Sequence, residues 1–339
     1  MQNVPDVAVL GGGAWGTAFA VHLALRTHAR PRVTLYIRSS ARARACVAEQ
    51  ENRRYLPGVA LPPDMTITSD LGALRADLLF AAVPVAQLMP LMSALAEARV
   101  FAPLLWLSKG FVATPRRTPE WALAHEAASP QWPYPVGAVS GPTFAVEVGQ
   151  GLPTALVVAA TDPALTDRVA ALLRGETLRA YPSDDLAGVE VGGAVKNVLA
   201  IAAGASDGLG FGDNARAALI TRGLAECGRL STALGGRRET LMGLAGLGDL
   251  VLTCTGNLSR NRRVGLGLAR GQPLATVLAE LGHVAEGVPA ARAVRALATH
   301  HRVDMPIADA VHRVLHEGIA PRDAVLTLLA REPRPEADA

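Results

Sequence analysis

The 339-residue chain has almost no lysine: its basic residues are 31 arginines and only two lysines, Lys109 and Lys196. Guanidinium supplies fixed charge and a planar fork of donors, whereas a proton that must leave near neutral pH needs an amine. The scarcity therefore marks Lys109 and Lys196 for chemistry. Cysteine is sparse as well. Cys46, Cys227 and Cys254 stand far apart, with no CxxC and no Cys/His cluster, so neither a disulfide framework nor a metal site is expected. Aromatic residues make up 4% of the chain against 33 glycines, which argues for close-packed helices and tight turns over an aromatic-rich sandwich. No run of about 18 uninterrupted apolar residues occurs, so no integral membrane segment is expected. The N-terminal residues lack the basic region and apolar segment of an export signal, and a cytoplasmic location fits. Nor is charge of one sign in large excess. A net charge of +3 with dispersed basic residues suits small anionic ligands and excludes an extended nucleic-acid footprint.

What is present begins with a short apolar run, DVAVLG at 6–11, followed by GGAWG and then a helical stretch from Thr17 to Thr27. Strand, glycine turn and helix follow in that order. Within it Gly11, Gly13 and Gly16 match GxGxxG, whose glycines allow the tight turn, the approach of a pyrophosphate and close packing of helix on strand. The free N–H groups of the helix start then face the diphosphate. The second strand, 33–37, ends at Arg38, with Ser39 and Ser40 behind it. An acidic residue there would accept from the ribose hydroxyl of NAD; a guanidinium instead pairs with a 2′-phosphate, so NADP(H) is favoured and NAD(H) possible. Further strands are expected at 65–69, 78–83, 103–108, 136–141, 154–160 and 177–181, with a helix at 165–174. Apolar throughout, these runs suit a doubly wound, mostly parallel sheet covered on both faces. Lys109 falls just past the end of one of them, at the sheet edge where such folds bind ligands.

After Asp185 strand-like runs vanish and helices punctuated by glycine take over. The expected organisation is an α/β protein with a Rossmann-type domain over 1–185, an all-helical domain over 186–330 and a disordered tail over 331–339. Lys196 stands in VGGAVKNVLAIAAG (191–204), with no other charge between Glu190 and Asp207. Burial there favours the neutral amine and lowers its pKa. The helix 215–234 carries Arg222, Glu226 and Arg229 on its polar side. Between helices lies the glycine-rich stretch 243–263. Its Asp249 needs a partner if it is buried ionised, and a lysine is the obvious one. Ser259, Arg260 and Asn261 set a hydroxyl, a bidentate donor and an amide side by side, good chemistry for a phosphate monoester.

Taken together, these blocks resemble one family, the bacterial-type NAD(P)-dependent glycerol-3-phosphate dehydrogenases. The matching segments are GGGAWGT (11–17), NRRYLPG (52–58), SKG (108–110), SGPTFA (140–145), VGGAVKN (191–197), GLGDL (246–250), LSRNR (258–262) and Glu286-Gly287. They span nearly the whole chain in order. The resemblance implies reversible hydride transfer between the nicotinamide and C2 of dihydroxyacetone phosphate or sn-glycerol 3-phosphate, with Lys196 as acid/base and Lys109 and Asp249 beside it. It implies substrate contacts at Lys109, Gly141, Thr143, Lys196, Asp249, Ser259, Arg260 and Asn261. Cofactor contacts are implied at Ala14, Trp15, Arg38, Ser39, Tyr55, Lys109, Ala145, Arg260, Val284 and Glu286, beside the glycines 11, 13 and 16. Ala14 stands where many relatives have serine, and Ala285 before Glu286 is slightly atypical. A homodimer serving phospholipid synthesis is part of the same implication. The rival readings are a 3-hydroxyacid or phosphogluconate dehydrogenase, against which Asp249 and the 259–261 block argue, and a dinucleotide sensor without turnover, which would need neither lysine.

Overall fold

Ten strands and a set of helices organise the chain in the computed structural model, which describes residues 4–27, 30–115, 117–282 and 284–332. The strands are β1 (Asp6–Leu10), β2 (Arg32–Tyr36), β3 (Thr66–Thr68), β4 (Leu78–Ala81), β5 (Leu104–Trp106), β6 (Val112–Ala113), β7 (Trp121–Ala122), β8 (Val136–Ser140), β9 (Thr154–Ala160) and β10 (Leu178–Ser183). Eight of them form one sheet in the order β10-β9-β8-β5-β4-β1-β2-β3. Neighbours are parallel except β8 and β9, which run antiparallel. Every residue of β4, β5 and β8 is buried, as the unbroken apolar runs require of strands covered on both faces. The chain runs outward from β1 to β3 and returns to β4 on the other side of β1. That reversal makes the carboxyl end of β1 the switch point of a Rossmann-like sheet.

Contacts divide the chain into two units, residues 1–108 with 125–186, and residues 109–124 with 187–339. The segment 109–124, expected in the first domain, groups with the helical unit because Phe111 and Leu123 are buried in that unit's hydrophobic core. It forms the antiparallel pair β6–β7 there. The tail expected over 331–339 falls outside the described residues from 333 onward.

The helical unit is built around the helix Leu186–Gly208, whose Val191, Ala194, Val195, Val198, Leu199 and Ala203 are all buried. Among the described residues it is the one helix long and apolar enough to cross a membrane, but 89% of its apolar window is buried inside the protein. The stretch 243–263, expected between helices, is itself largely helical: a wide turn at Leu244–Gly248 leads into Asp249–Thr255, and Arg260–Ala269 follows. Glycine spacing disguised it. A Cβ on Gly246 would stand 2.1 Å from the Leu241 carbonyl oxygen, so the close turn needs the residue that reads as a breaker. Glu226, expected on a polar face, is 1% exposed and accepts N–H bonds from Ile307 (2.7 Å) and Ala308 (3.1 Å), capping the helix Pro306–His316.

Candidate active site

In the sheet unit the glycine turn follows β1. Gly11 has φ +129°, open to glycine but not to side-chain residues, and a Cβ there would meet the Ala82 carbonyl oxygen at 2.4 Å. A Cβ on Gly16 would overlap the Gly11 carbonyl oxygen at 2.0 Å. These two positions let the helix Ala14–Ala24 start hard against the strand. Gly13 faces open space, with nothing within 4 Å of an added Cβ. The first N–H groups of the helix, including those of Ala14 and Trp15, have no partner within the helix. Open space before unpaired N–H groups fits a dinucleotide diphosphate. Asn52, buried, holds the turn by donating to the Gly12 carbonyl (3.1 Å) and to Thr17 Oγ1 (2.8 Å). Sequence reasoning quoted its block but gave it no part. The signal was an amide in a segment otherwise read for Tyr55.

Arg38 is exposed at the end of β2, and Ser39 caps the helix Ser40–Glu49 by accepting from the Arg42 N–H. Tyr55 lies half-buried under arginine side chains. At the carboxyl end of β8, Thr143 Oγ1 donates to the Gly141 carbonyl at 3.1 Å, and Ala145 opens the helix Ala145–Gly149.

In the helical unit one carboxylate joins both lysines. Lys109 Nζ donates to Asp249 Oδ2 at 2.5 Å, and Lys196 Nζ donates to Asp249 Oδ1. Lys196 also reaches Thr253 Oγ1 at 2.9 Å. Thr253 donates its own proton to the Asp249 carbonyl at 2.6 Å, which leaves its lone pair turned to the lysine. Thr253, one helical turn from Asp249, was missed by sequence reasoning, which read this stretch as lying between helices and so saw no i, i+4 relation. Close packing brings these groups together. A Cβ on Gly192 would stand 2.5 Å from the Ala245 carbonyl oxygen, so the 244–248 turn approaches the lysine helix one turn before Lys196.

Burial is nearly complete at this cluster, with Asp249 1% and Lys196 7% exposed. Two ammonium groups share one carboxylate. Desolvation disfavours the charged form of Lys196, Asp249 favours it, and the Lys109 cation opposes it again, so the amine is pushed down from 10.5 to about 7. Such an amine can both donate and accept a proton at neutral pH.

The 259–261 block starts the helix Arg260–Ala269. Ser259 Oγ caps it by accepting from the Arg262 N–H at 3.2 Å. Asn261, buried, donates through Nδ2 to Asn197 Oδ1 (2.9 Å) and accepts through Oδ1 from the Gly287 N–H (3.0 Å). It thus ties the residue beside Lys196 to the helix Gly287–His301, which follows Glu286. Arg260 is exposed and close enough to Glu286 for their charges to interact. Arg262 is spent on Asp207 (2.7 Å), and Val284 is exposed. Among the described residues no group of three His, Cys, Asp or Glu side chains is placed to hold a metal ion.

Two family models match the chain. Residues 6–166 match the N-terminus of NAD-dependent glycerol-3-phosphate dehydrogenase, and residues 185–326 match its C-terminus. Glycerol-3-phosphate dehydrogenase (NAD(P)+) of Aromatoleum aromaticum is 51% identical over 333 residues, which cover 97% of this chain and 99% of that protein. The crystal structure of glycerol-3-phosphate dehydrogenase from Coxiella burnetii superposes with a TM-score of 0.90 at 40% identity, covering 96% of this chain and 99% of the other. The enzyme from Saccharomyces cerevisiae does so at 0.81 and 25% identity, covering 95% and 98%. With both halves matched in order and a relative of this identity along its whole length, the chain belongs to the NAD(P)-dependent glycerol-3-phosphate dehydrogenases.

Proposed function

We propose that this protein reversibly reduces dihydroxyacetone phosphate to sn-glycerol 3-phosphate, with Lys196 as the acid/base. The observation that carries the assignment is the buried Lys196–Asp249–Lys109 cluster, which holds an amine poised near 7 beside a second, charged one. When bound, a nicotinamide dinucleotide supplies or removes the hydride at substrate C2. As the C2 oxygen gains negative charge, the Lys196 ammonium stabilises it and gives up its proton to it, leaving the neutral amine. In the oxidative direction the neutral amine takes the hydroxyl proton. Asp249 and Thr253 orient Nζ, and Lys109 fixes the other carboxylate oxygen while adding positive charge for an anionic substrate.

Ser259 and Asn261 each keep a proton beyond the bonds just described: the Ser259 hydroxyl only accepts, and Asn261 uses one of its two amide protons. With Arg260 they supply donors for the substrate phosphate. The glycine turn at 11–16, Arg38 and Tyr55 would hold the cofactor, with NADP(H) favoured by Arg38 over NAD(H). The family reading extends to a cytoplasmic homodimer that supplies glycerol phosphate for glycerophospholipid synthesis. The test is NADPH oxidation followed by absorbance with dihydroxyacetone phosphate, beside NADH and beside 3-keto acids. Turnover confined to the phosphorylated ketone is expected; turnover with keto acids alone would overturn the assignment.

A further inference from the structure

We infer that Arg42 and Arg54 join Arg38 in a guanidinium clamp for the 2′-phosphate of NADP(H), and that this clamp sets the cofactor preference. The inference rests on the dehydrogenase reading above and concerns two residues that have had no part in it so far. The Arg42 guanidinium carbon lies 4.8 Å from the centroid of the Tyr55 ring, and that of Arg54 lies 5.4 Å from it. Two like charges therefore converge on one aromatic ring, where stacking favours each but their mutual repulsion opposes both. A carboxylate between them would relieve this. The nearby acids are committed elsewhere: Glu49 and Glu51 both pair with Arg53, at 3.5 and 3.2 Å, and Glu51 also accepts the Gly58 N–H at 2.8 Å. Among the described residues, Arg38, Arg42 and Arg54 form no ion pair with a carboxylate. Arg42 Nε is moreover enclosed with no hydrogen-bond partner, an unsatisfied donor in a half-buried side chain. Leaving such a donor unpaired is costly, so the site is short of an acceptor.

The position of the cluster identifies that acceptor. It gathers where β2 ends and the helix Ser40–Glu49 begins, one strand from the glycine turn, which is tied to β2 by the Gly11 N–H to Tyr36 carbonyl bond of 3.0 Å. In βαβ dinucleotide folds the adenosine ribose lies at this point, and the residue there meets either a 2′-hydroxyl or a 2′-phosphate. A phosphate monoester brings about 1.5 to 2 negative charges and three acceptor oxygens, more than one guanidinium can satisfy and well matched to several planar forks. A 2′-hydroxyl brings no charge and would leave three cations unneutralised.

The test is calorimetric titration of the full chain with 2′,5′-ADP and with 5′-ADP, comparing wild type with Arg42→Met and Arg54→Met. Methionine keeps an unbranched stem over Tyr55 and removes the charge, and because Arg54 is exposed its variant does not depend on core packing. Wild type is expected to bind 2′,5′-ADP at least about tenfold tighter than 5′-ADP, and each substitution to cut that ratio about tenfold, the scale of a hydrogen bond to a charged group. A wild-type ratio near one, or a wild-type ratio retained in both variants, overturns the clamp. If the ratio is near one while dihydroxyacetone phosphate is still reduced, the clamp alone fails. If neither nucleotide binds, the clamp and the dehydrogenase reading fall together.

Discussion

Lys196 is an amine whose neighbours disagree about its charge. Its burial and the Lys109 cation favour the neutral form, and Asp249 favours the ammonium. The balance sets the direction of a pH effect. Below about 7 the group is an acid and above it a base, so kcat/KM for ketone reduction is expected to fall as pH rises through that region. For glycerol phosphate oxidation it should rise through the same region. A pair of pH profiles measured in the two directions checks this; profiles that move together would assign the proton to another group. Asp249→Asn removes the one nearby charge that favours the ammonium. The limb is then expected to move to lower pH, with turnover down by at least about a hundredfold, read from the same profiles. The pairing of lysine with Asp249 was legible, because a carboxylate set among apolar residues needs a cation and the chain holds only two lysines. Thr253 was not, since threonine is common and only the folded helix Asp249–Thr255 turns its hydroxyl to Nζ.

At the scale of elements, the site depends on how closely helices approach. Gly192→Ala would drive a methyl against the Ala245 carbonyl, and overpacking of this kind typically costs about 1–3 kcal/mol. Thermal unfolding is expected to show that loss, with kcat falling as the turn carrying Asp249 shifts; unchanged stability would mean the turn yields freely. Asn261→Ala would strand two buried partners, Asn197 Oδ1 and the Gly287 N–H, at about 1–3 kcal/mol each. Stability is therefore expected to fall together with phosphate affinity, whereas loss of affinity alone would mark Asn261 as a pure ligand. Unlike the two-residue strands β6 and β7, which are too short to show a pattern, the eight strands of the main sheet were legible because their apolar runs are short, unbroken and bounded by turns. The helices Asp249–Thr255 and Arg260–Ala269 were not, because the glycines that permit their close packing look like loop residues in a linear reading. Asn261 shows the same limit: its side chain reads as a phosphate donor, and its part in bracing three segments exists only in the fold.

At the scale of the whole molecule, the chain forms two units with separate cores. The sheet unit carries the glycine turn and the arginines, and the helical unit carries the lysine cluster. Along the chain the motifs fall in the same order, the glycine turn first and the lysine and Asp249 blocks after it. The return of 109–124 to the helical unit was hidden, because a segment that short leaves no compositional break, and yet it carries Lys109 to Asp249. A ligand that binds only the folded chain stabilises it by about 2.7 kcal/mol at a hundredfold excess over Kd. NADPH is therefore expected to raise the unfolding temperature more than NADH at equal concentration, and equal shifts would count against the arginine cluster as a discriminator. The central claim is that Lys196 handles the proton of the C2 oxygen. Its most direct test is the rate of dihydroxyacetone phosphate reduction by Lys196→Ala beside wild type, with circular dichroism to confirm the fold. A folded variant slower by at least about a hundredfold is the result expected of a lost general acid, and a folded variant turning over near the wild-type rate would contradict it.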